Sequence, residues 1–147
     1  MRPWSVLLPL VLALASCDAI GNCDGVSCTP MLIVPLTQGL DRDGDYHVTL
    51  GGDVDLACDF TVVDGLIDPG DCTGDLRVPD SGNTTLFMNV GPEESMLLAI
   101  AYNDELIADH ELQPAWDTTY PGGRLCGNAC PRGVEPAPVA ITWSDTE

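Results

Sequence analysis

From Val54 to Val62 the chain alternates without a break: Val54, Leu56, Cys58, Phe60 and Val62 are apolar or cysteine, and Asp55, Ala57, Asp59 and Thr61 fall between them. A period of two is the mark of a strand with one face buried and the other in water. A helix would need an apolar stripe recurring every 3.6 residues, and none persists for ten residues anywhere in the chain. The segment before this strand alternates as well, with Tyr46, Val48 and Leu50 set against His47 and Thr49, and Gly51-Gly52 between the two runs predicts a tight hairpin turn. Further strands are expected at residues 84–90, 96–102, 105–112 and 139–143, with a weaker one near Leu76. Asn103-Asp104 suits a two-residue turn between two of them. Met96 to Ala101 is apolar on both faces, which predicts a central strand.

Seven or eight short strands separated by turn residues predict an all-β domain, a single antiparallel β-sandwich, over residues 31–147. In strand number and spacing the domain resembles the immunoglobulin and fibronectin type III sandwiches, although it lacks the Cys, Trp, Cys spacing of antibody domains. Such sandwiches host many unrelated functions, so the resemblance implies a fold and no activity.

Upstream, residues 1–16 carry one positive charge at Arg2, an apolar stretch centred on Val6 to Leu14, and small residues after it. This is the layout of an export signal that is removed on maturation. It is too short to cross a bilayer, which takes about 20 apolar residues of helix. Leu14-Ala15-Ser16-Cys17 resembles the lipobox at which bacterial lipoproteins are cleaved and acylated. The resemblance implies a lipid on Cys17, attachment to a membrane of the bacterial cell envelope after export, and the outer membrane ahead of the inner one. Residues 17–30, small and polar, then read as a lipidated tether.

Setting Cys17 aside leaves Cys23, Cys28, Cys58, Cys72, Cys126 and Cys130, an even set suited to disulfides in an oxidising compartment. Six cysteines allow 15 pairings. Cys58 and Cys72 flank a loop rich in Gly and Asp and can tie it to the sheet. Cys23 with Cys28, and Cys126 with Cys130, can close small local loops; the rival arrangement joins the tether cysteines to Cys126 and Cys130 and staples the amino end to the body. The same spacings loosely allow two pairs of zinc ligands, but export favours oxidation.

Charge narrows the partners. From Cys17 onward four arginines face 23 carboxylates, and the sequence contains no lysine. Arg42, Arg77, Arg124 and Arg132 are scattered singly, so the basic patch that nucleic acid requires is missing and no nucleic-acid partner is expected. Acidity of this kind keeps a surface hydrated, and it also raises divalent-cation binding as a question. Asp41, Asp43 and Asp45 stand at alternate positions, like the first ligands of an EF-hand calcium loop. The likeness then stops: the sixth place of the loop is Tyr46 where glycine belongs, and the twelfth is Gly52 where a bidentate glutamate belongs. A turn is the simpler explanation of the three aspartates, since Asp and Gly together commonly begin strands. Asp64, Asp68, Asp71 and Asp75 form a second acidic stretch, each beside Gly, Pro or Cys, and read the same way.

Signals for catalysis are weak. The chain has two histidines, His47 and His110, each on an expected strand, and no Gly-x-Ser-x-Gly elbow, His-Glu-x-x-His or Cys-x-x-Cys motif. Trp116 and Tyr120, in a Pro-flanked stretch, suit either an aromatic binding platform or one closed end of the core. The expected function is therefore that of a non-catalytic, membrane-anchored envelope module that binds a protein or polysaccharide or serves as a structural attachment. A calcium-dependent module using Asp41, Asp43 and Asp45 is the first alternative, and a hydrolase with an unrecognised carboxylate site, such as one using Glu93 and Glu94, is the second.

Overall fold

A computed structural model describes residues 28–73, 76–77, 84–121, 123–124 and 129–144. Among them are ten strands and no α-helix: β1 (Met31–Pro35), β2 (Gly44–Gly52), β3 (Leu56–Val63), β4 (Leu66–Cys72), β5 (Leu76–Arg77), β6 (Thr85–Met88), β7 (Met96–Tyr102), β8 (Glu105–Glu111), β9 (Ala115–Thr119) and β10 (Cys130–Val134). The expected export signal, Cys17, Cys23 and Cys126 lie outside the described residues.

The strands form two five-stranded sheets. Sheet I has the order β4-β3-β2-β7-β8 and is antiparallel throughout. Sheet II has the order β5-β6-β1-β10-β9, in which β1 and β10 are parallel and the other pairs antiparallel. Leu32 and Val34 of β1 and Leu86 and Met88 of β6 join Val48, Leu50, Phe60, Val62, Leu98 and Ile100 of sheet I in one buried cluster. The two sheets thus share a single core, and each fully buried side chain of this size contributes about 1.5–3 kcal/mol.

The alternation read at β2 and β3 appears as predicted, with Tyr46, Val48, Leu50, Cys58, Phe60 and Val62 buried and His47 and Asp59 exposed. Elsewhere one turn and five strand assignments depart from expectation, four strands being additional and one expected strand not forming. Gly51-Gly52 is not the turn; it continues β2, because β7 supplies partners for both glycines on the other side (Gly51↔Leu97, Gly52↔Met96). Gly52 has φ +97, and a Cβ there would collide with the backbone of Ser95. The turn falls at Asp53–Asp55, pinned by Asp53 N donating to Ser95 O and Ser95 N donating to Asp53 Oδ2, both at 2.9 Å.

Neither β1, which is apolar without alternation, nor β4, β9 and β10 carries a clean period of two. β4 contains Pro69 and Gly70 and is exposed along most of its length, as an edge strand permits. β10 contains Pro131, tolerated because its pairing with β1 begins only at Arg132. Conversely, residues 139–143 form no strand: they make an isolated bridge, Leu36↔Val139, a backbone bond from Thr142 N to Ile107 O, and bonds with the side chains of Thr37 and Gln38.

Candidate functional site

β1 leads away from Cys28 into residues 36–43, which deliver the chain to the start of β2. The registers Gly44↔Val62, Val63↔Leu66, Tyr46↔Tyr102 and Tyr102↔Glu105 then bring the β3–β4 and β7–β8 turns to that same end. Both are two-residue turns with left-handed residues, Asp64 (φ 52) with Gly65 (φ 71), and Asn103 (φ 47) with Asp104 (φ 66). Asp-Gly and Asn-Asp suit that conformation because Gly, Asn and Asp tolerate positive φ best.

Three loops become one surface through hydrogen bonds between them. Gly65 N donates to Asp43 Oδ1 at 3.2 Å. Asn103 N donates to Asp45 O at 2.8 Å, and Asp45 N donates to Asn103 Oδ1 at 2.9 Å. Tyr102 OH donates to Asp43 O at 2.7 Å. The three aspartates singled out for calcium are therefore put to separate uses: Asp43 holds the β3–β4 turn, Asp45 accepts from Thr61 Oγ1 at 2.7 Å, and Asp41 stays exposed. Among the described residues, no three His, Cys, Asp or Glu side chains gather closely enough to hold a metal ion.

Beneath the loops lies an aromatic cluster. Tyr46 stacks on Phe60 with centroids 5.0 Å apart and planes 6° from parallel, and it also meets Tyr102 at 5.0 Å. Trp143 stands edge-on to Tyr102 at 5.2 Å and to Tyr46 at 6.4 Å. Arg42 covers the Trp143 ring at 4.2 Å, and Trp143 Nε1 donates to Gln38 Oε1 at 2.9 Å. Tyr46 OH donates to Arg42 O at 3.0 Å, and burial pushes this phenol well above its ordinary pKa. Such pairs add about 0.5–1.5 kcal/mol each beyond their buried area, so the loops rest on a rigid base.

Two open hollows flank this end. One of about 320 Å³, on the outward face of sheet I, is lined by Asp45, His47, Asp59, Thr61, Asp71 and Asp104. There His47 Nδ1 pairs with Asp59 Oδ1, both side chains being more than half exposed. Thr61, the hydroxyl beside them, gives its hydrogen to Asp45, so the relay of an activated nucleophile is not formed. The other hollow, about 210 Å³, is lined by Arg42, Tyr102, Asn103, Glu105, Trp143 and Ser144, with Ser144 Oγ donating to Glu105 Oε2. Water-exposed polar groups of this kind suit recognition of a polar partner.

Trp116 and Tyr120 do not make a joint platform. Trp116 packs against the core, its ring lying across Gly133 on β10. Tyr120 is 38% exposed past the end of β9, with the Arg124 guanidinium 5.7 Å from its ring. Among the cysteines, Cys58–Cys72 bridges directly opposed residues of β3 and β4, with Cα atoms 3.9 Å apart. Cys28 bonds to Cys130, Cα atoms 5.3 Å apart. The expected local loops Cys23–Cys28 and Cys126–Cys130 are thereby both replaced by the rival staple, because the parallel pairing of β1 with β10 sets the two strand starts side by side.

Residues that organise the loop end, Asn103, Gly65 and Tyr102, were not singled out from sequence as functional. The Asp64-Gly65 dipeptide carried the missed signal, being among the strongest short hairpin cues. Comparison of the chain with protein-family models, with curated proteins and with solved structures finds no match.

Proposed function

We propose that this chain is a non-catalytic binding module of the bacterial cell envelope, held by lipid on Cys17 in a membrane, the outer one by preference, with its joined loop end receiving an envelope protein or polysaccharide. One observation carries the reading. The three loops linked through Asp43, Asp45, Gly65 and Asn103 lie at the end toward which β1 runs, opposite the Cys28–Cys130 attachment. Attachment at one end leaves the other free for a partner, and loops on a rigid scaffold are where sandwich domains commonly bind.

The strand order supports an immunoglobulin-like sandwich. With β1 as strand B and β2 as strand C, sheet I reads C″-C′-C-F-G and three of the five strands of sheet II read D-E-B, the order of a variable-type domain. The loop end then corresponds to the end carrying the B–C, C′–C″ and F–G loops. Two departures set the domain apart: the place of strand A beside strand B is taken by β10, which is parallel to it, and Tyr46 stands in strand C where antibody domains have tryptophan.

The test has two arms in a bacterial host. Palmitate incorporation should label the wild-type chain and not Cys17→Ser. A photo-crosslinking residue at Asp64 or Asp104 should capture an envelope component that the same residue at Thr118, on β9, does not. Equal capture from all three positions would overturn the assignment of the loop end, and an unlabelled wild-type chain would overturn the anchor.

A further inference from the structure

The outward face of sheet II combines an apolar row with two arginines. Leu32, Val34, Leu86 and Met88 point into the core, so the residues between them face out. The registers Arg77↔Phe87, Phe87↔Ile33, Ile33↔Val134 and Val134↔Ala115 align one row across all five strands. It reads Arg, Phe, Ile, Val, Ala. Met31 and Pro35 flank Ile33 along β1, Arg132 lies beside Met31, and Asp117 is opposed to Arg132. Val134 is 40% exposed, and Met31, Ile33, Pro35 and Phe87 are half-buried. The solvent face of a sheet packed on one side is ordinarily polar. The outward face of sheet I differs in charge: it carries Asp45, Asp59, Asp109 and Glu111 beside His47, and the exposed Val63, Leu66, Leu97 and Leu106 stand among these acids.

The tether enters on this same apolar face. Cys130 shares its side of β10 with Arg132 and Val134, and Cys28 is bonded to it. Beside the disulfide a hollow of about 390 Å³ opens between Thr29, Met31, Pro121, Pro131 and Arg132.

We infer that the outward face of sheet II rests on the headgroup layer of the bilayer that holds the chain, Phe87, Ile33, Met31 and Val134 meeting the interface and Arg77 and Arg132 reaching lipid phosphates. This rests on the reading of Cys17 as the lipid-bearing residue. From Cys17 to Cys28 is a step of eleven residues, a reach of about 40 Å at full extension, and it ends at the edge of the patch. Arginine stems lie along apolar surface while their heads stay in the polar layer. The acidic sheet I is repelled by anionic lipid, which turns sheet II toward the membrane. A second copy as occupant would bring two strongly acidic chains together, whereas phosphates complement the arginines. The domain then lies on its side, with the loop end directed along the membrane.

The test uses the full lipid-bearing chain in vesicles of phosphatidylethanolamine and phosphatidylglycerol with brominated acyl chains. Val134→Trp, on the patch, is compared with Thr49→Trp, on the outward face of sheet I, each corrected for the native tryptophans and checked for an unchanged melting temperature. Bromine should quench Val134→Trp about two-fold or more beyond Thr49→Trp, as expected for a residue seated at the interface, and adding Arg132→Glu should lower that difference. Equal quenching of the two would overturn the inference. So would a Val134→Trp protein shielded from acrylamide yet unquenched by bromine, which would show a second copy or another protein on the face. Intact mass and flotation separate the two readings: an acylated, floating chain without the quenching difference overturns only the resting face, whereas a chain with no acyl mass that fails to float overturns the anchor and the face together.

Discussion

Asn103 grips Asp45 from both sides, its backbone N–H donating to Asp45 O at 2.8 Å and its side-chain Oδ1 accepting from Asp45 N at 2.9 Å. The start of β2 is thus locked to the β7–β8 turn, and two members of the aspartate run, Asp43 and Asp45, take part in a loop clasp. Asn103 also sits at φ +47. Asn103→Ala removes one hydrogen bond and forces a less tolerant residue into left-handed backbone, so it should cost about 1–3 kcal/mol. Asn103→Gly, which keeps the backbone freedom, should cost less. Denaturant unfolding of the two variants beside wild type checks the order.

Gly133 has no room for a side chain. A Cβ there would lie 2.9 Å from three ring atoms of Trp116, whereas one at Gly51 meets nothing within 4 Å. Gly133→Ala should therefore destabilise by about 1–3 kcal/mol through overpacking, with a change in Trp fluorescence, and Gly51→Ala should stay within about 0.5 kcal/mol of wild type. Thermal melts of both variants measure the contrast.

The two disulfides among the described residues close loops of very different length, 14 residues for Cys58–Cys72 and 102 for Cys28–Cys130. On the chain-entropy estimate these are worth about 3 and 4.7 kcal/mol. Paired Cys→Ser variants should rank accordingly in melting temperature, with the loss of Cys28–Cys130 the more damaging. The reverse order would mean that contacts between β1 and β10 suffice without the staple.

Alkaline stability should depend on Tyr46. Its pKa is raised in the folded protein, chiefly by burial, so the folded state holds this proton longer than the unfolded chain does. The stabilisation is complete below the ordinary tyrosine value near 10 and is lost as pH rises beyond it. With no lysine to titrate in that range, the melting temperature should fall above about pH 10, and the fall should be shallower in Tyr46→Phe. Tyrosinate absorbance against pH should show one phenol ionising only with unfolding.

Calcium should leave the protein unmoved. Asp43 and Asp45 already accept hydrogen bonds from Gly65 N and Thr61 Oγ1. Thermal unfolding in chelator and in millimolar calcium should coincide. A rise of several degrees that vanishes in Asp43→Asn would restore the calcium-dependent alternative, since a ligand at 100 times its dissociation constant adds about 2.7 kcal/mol.

The strands most legible in sequence were β2, β3, β6, β7 and β8. β2, β3, β7 and β8 lie in sheet I, and their alternation or apolar run reports burial directly. β1 was hidden because its short apolar run does not alternate and ends in Pro35, β4 because Pro69 and Gly70 interrupt it at an open edge, and β10 because Cys, Pro and Gly give it the composition of a turn. Among candidate site residues, the pairing of Cys58 with Cys72 was legible from one strand and one loop. The partner of Cys28 was not, because 102 residues separate it from Cys130 and nothing local links them.

By itself, then, the sequence determined the all-β class, the alternation of the central strands, the Asn103-Asp104 turn and the acidity of the surface, since each follows from local sterics or composition. Only the tertiary structure decided which strands share a sheet, that β10 runs parallel beside β1, that Asp43 and Asp45 hold loops, and that sheet II turns an apolar row outward. Those outcomes depend on pairings between residues far apart in the chain, whose energies arise only when the strands meet.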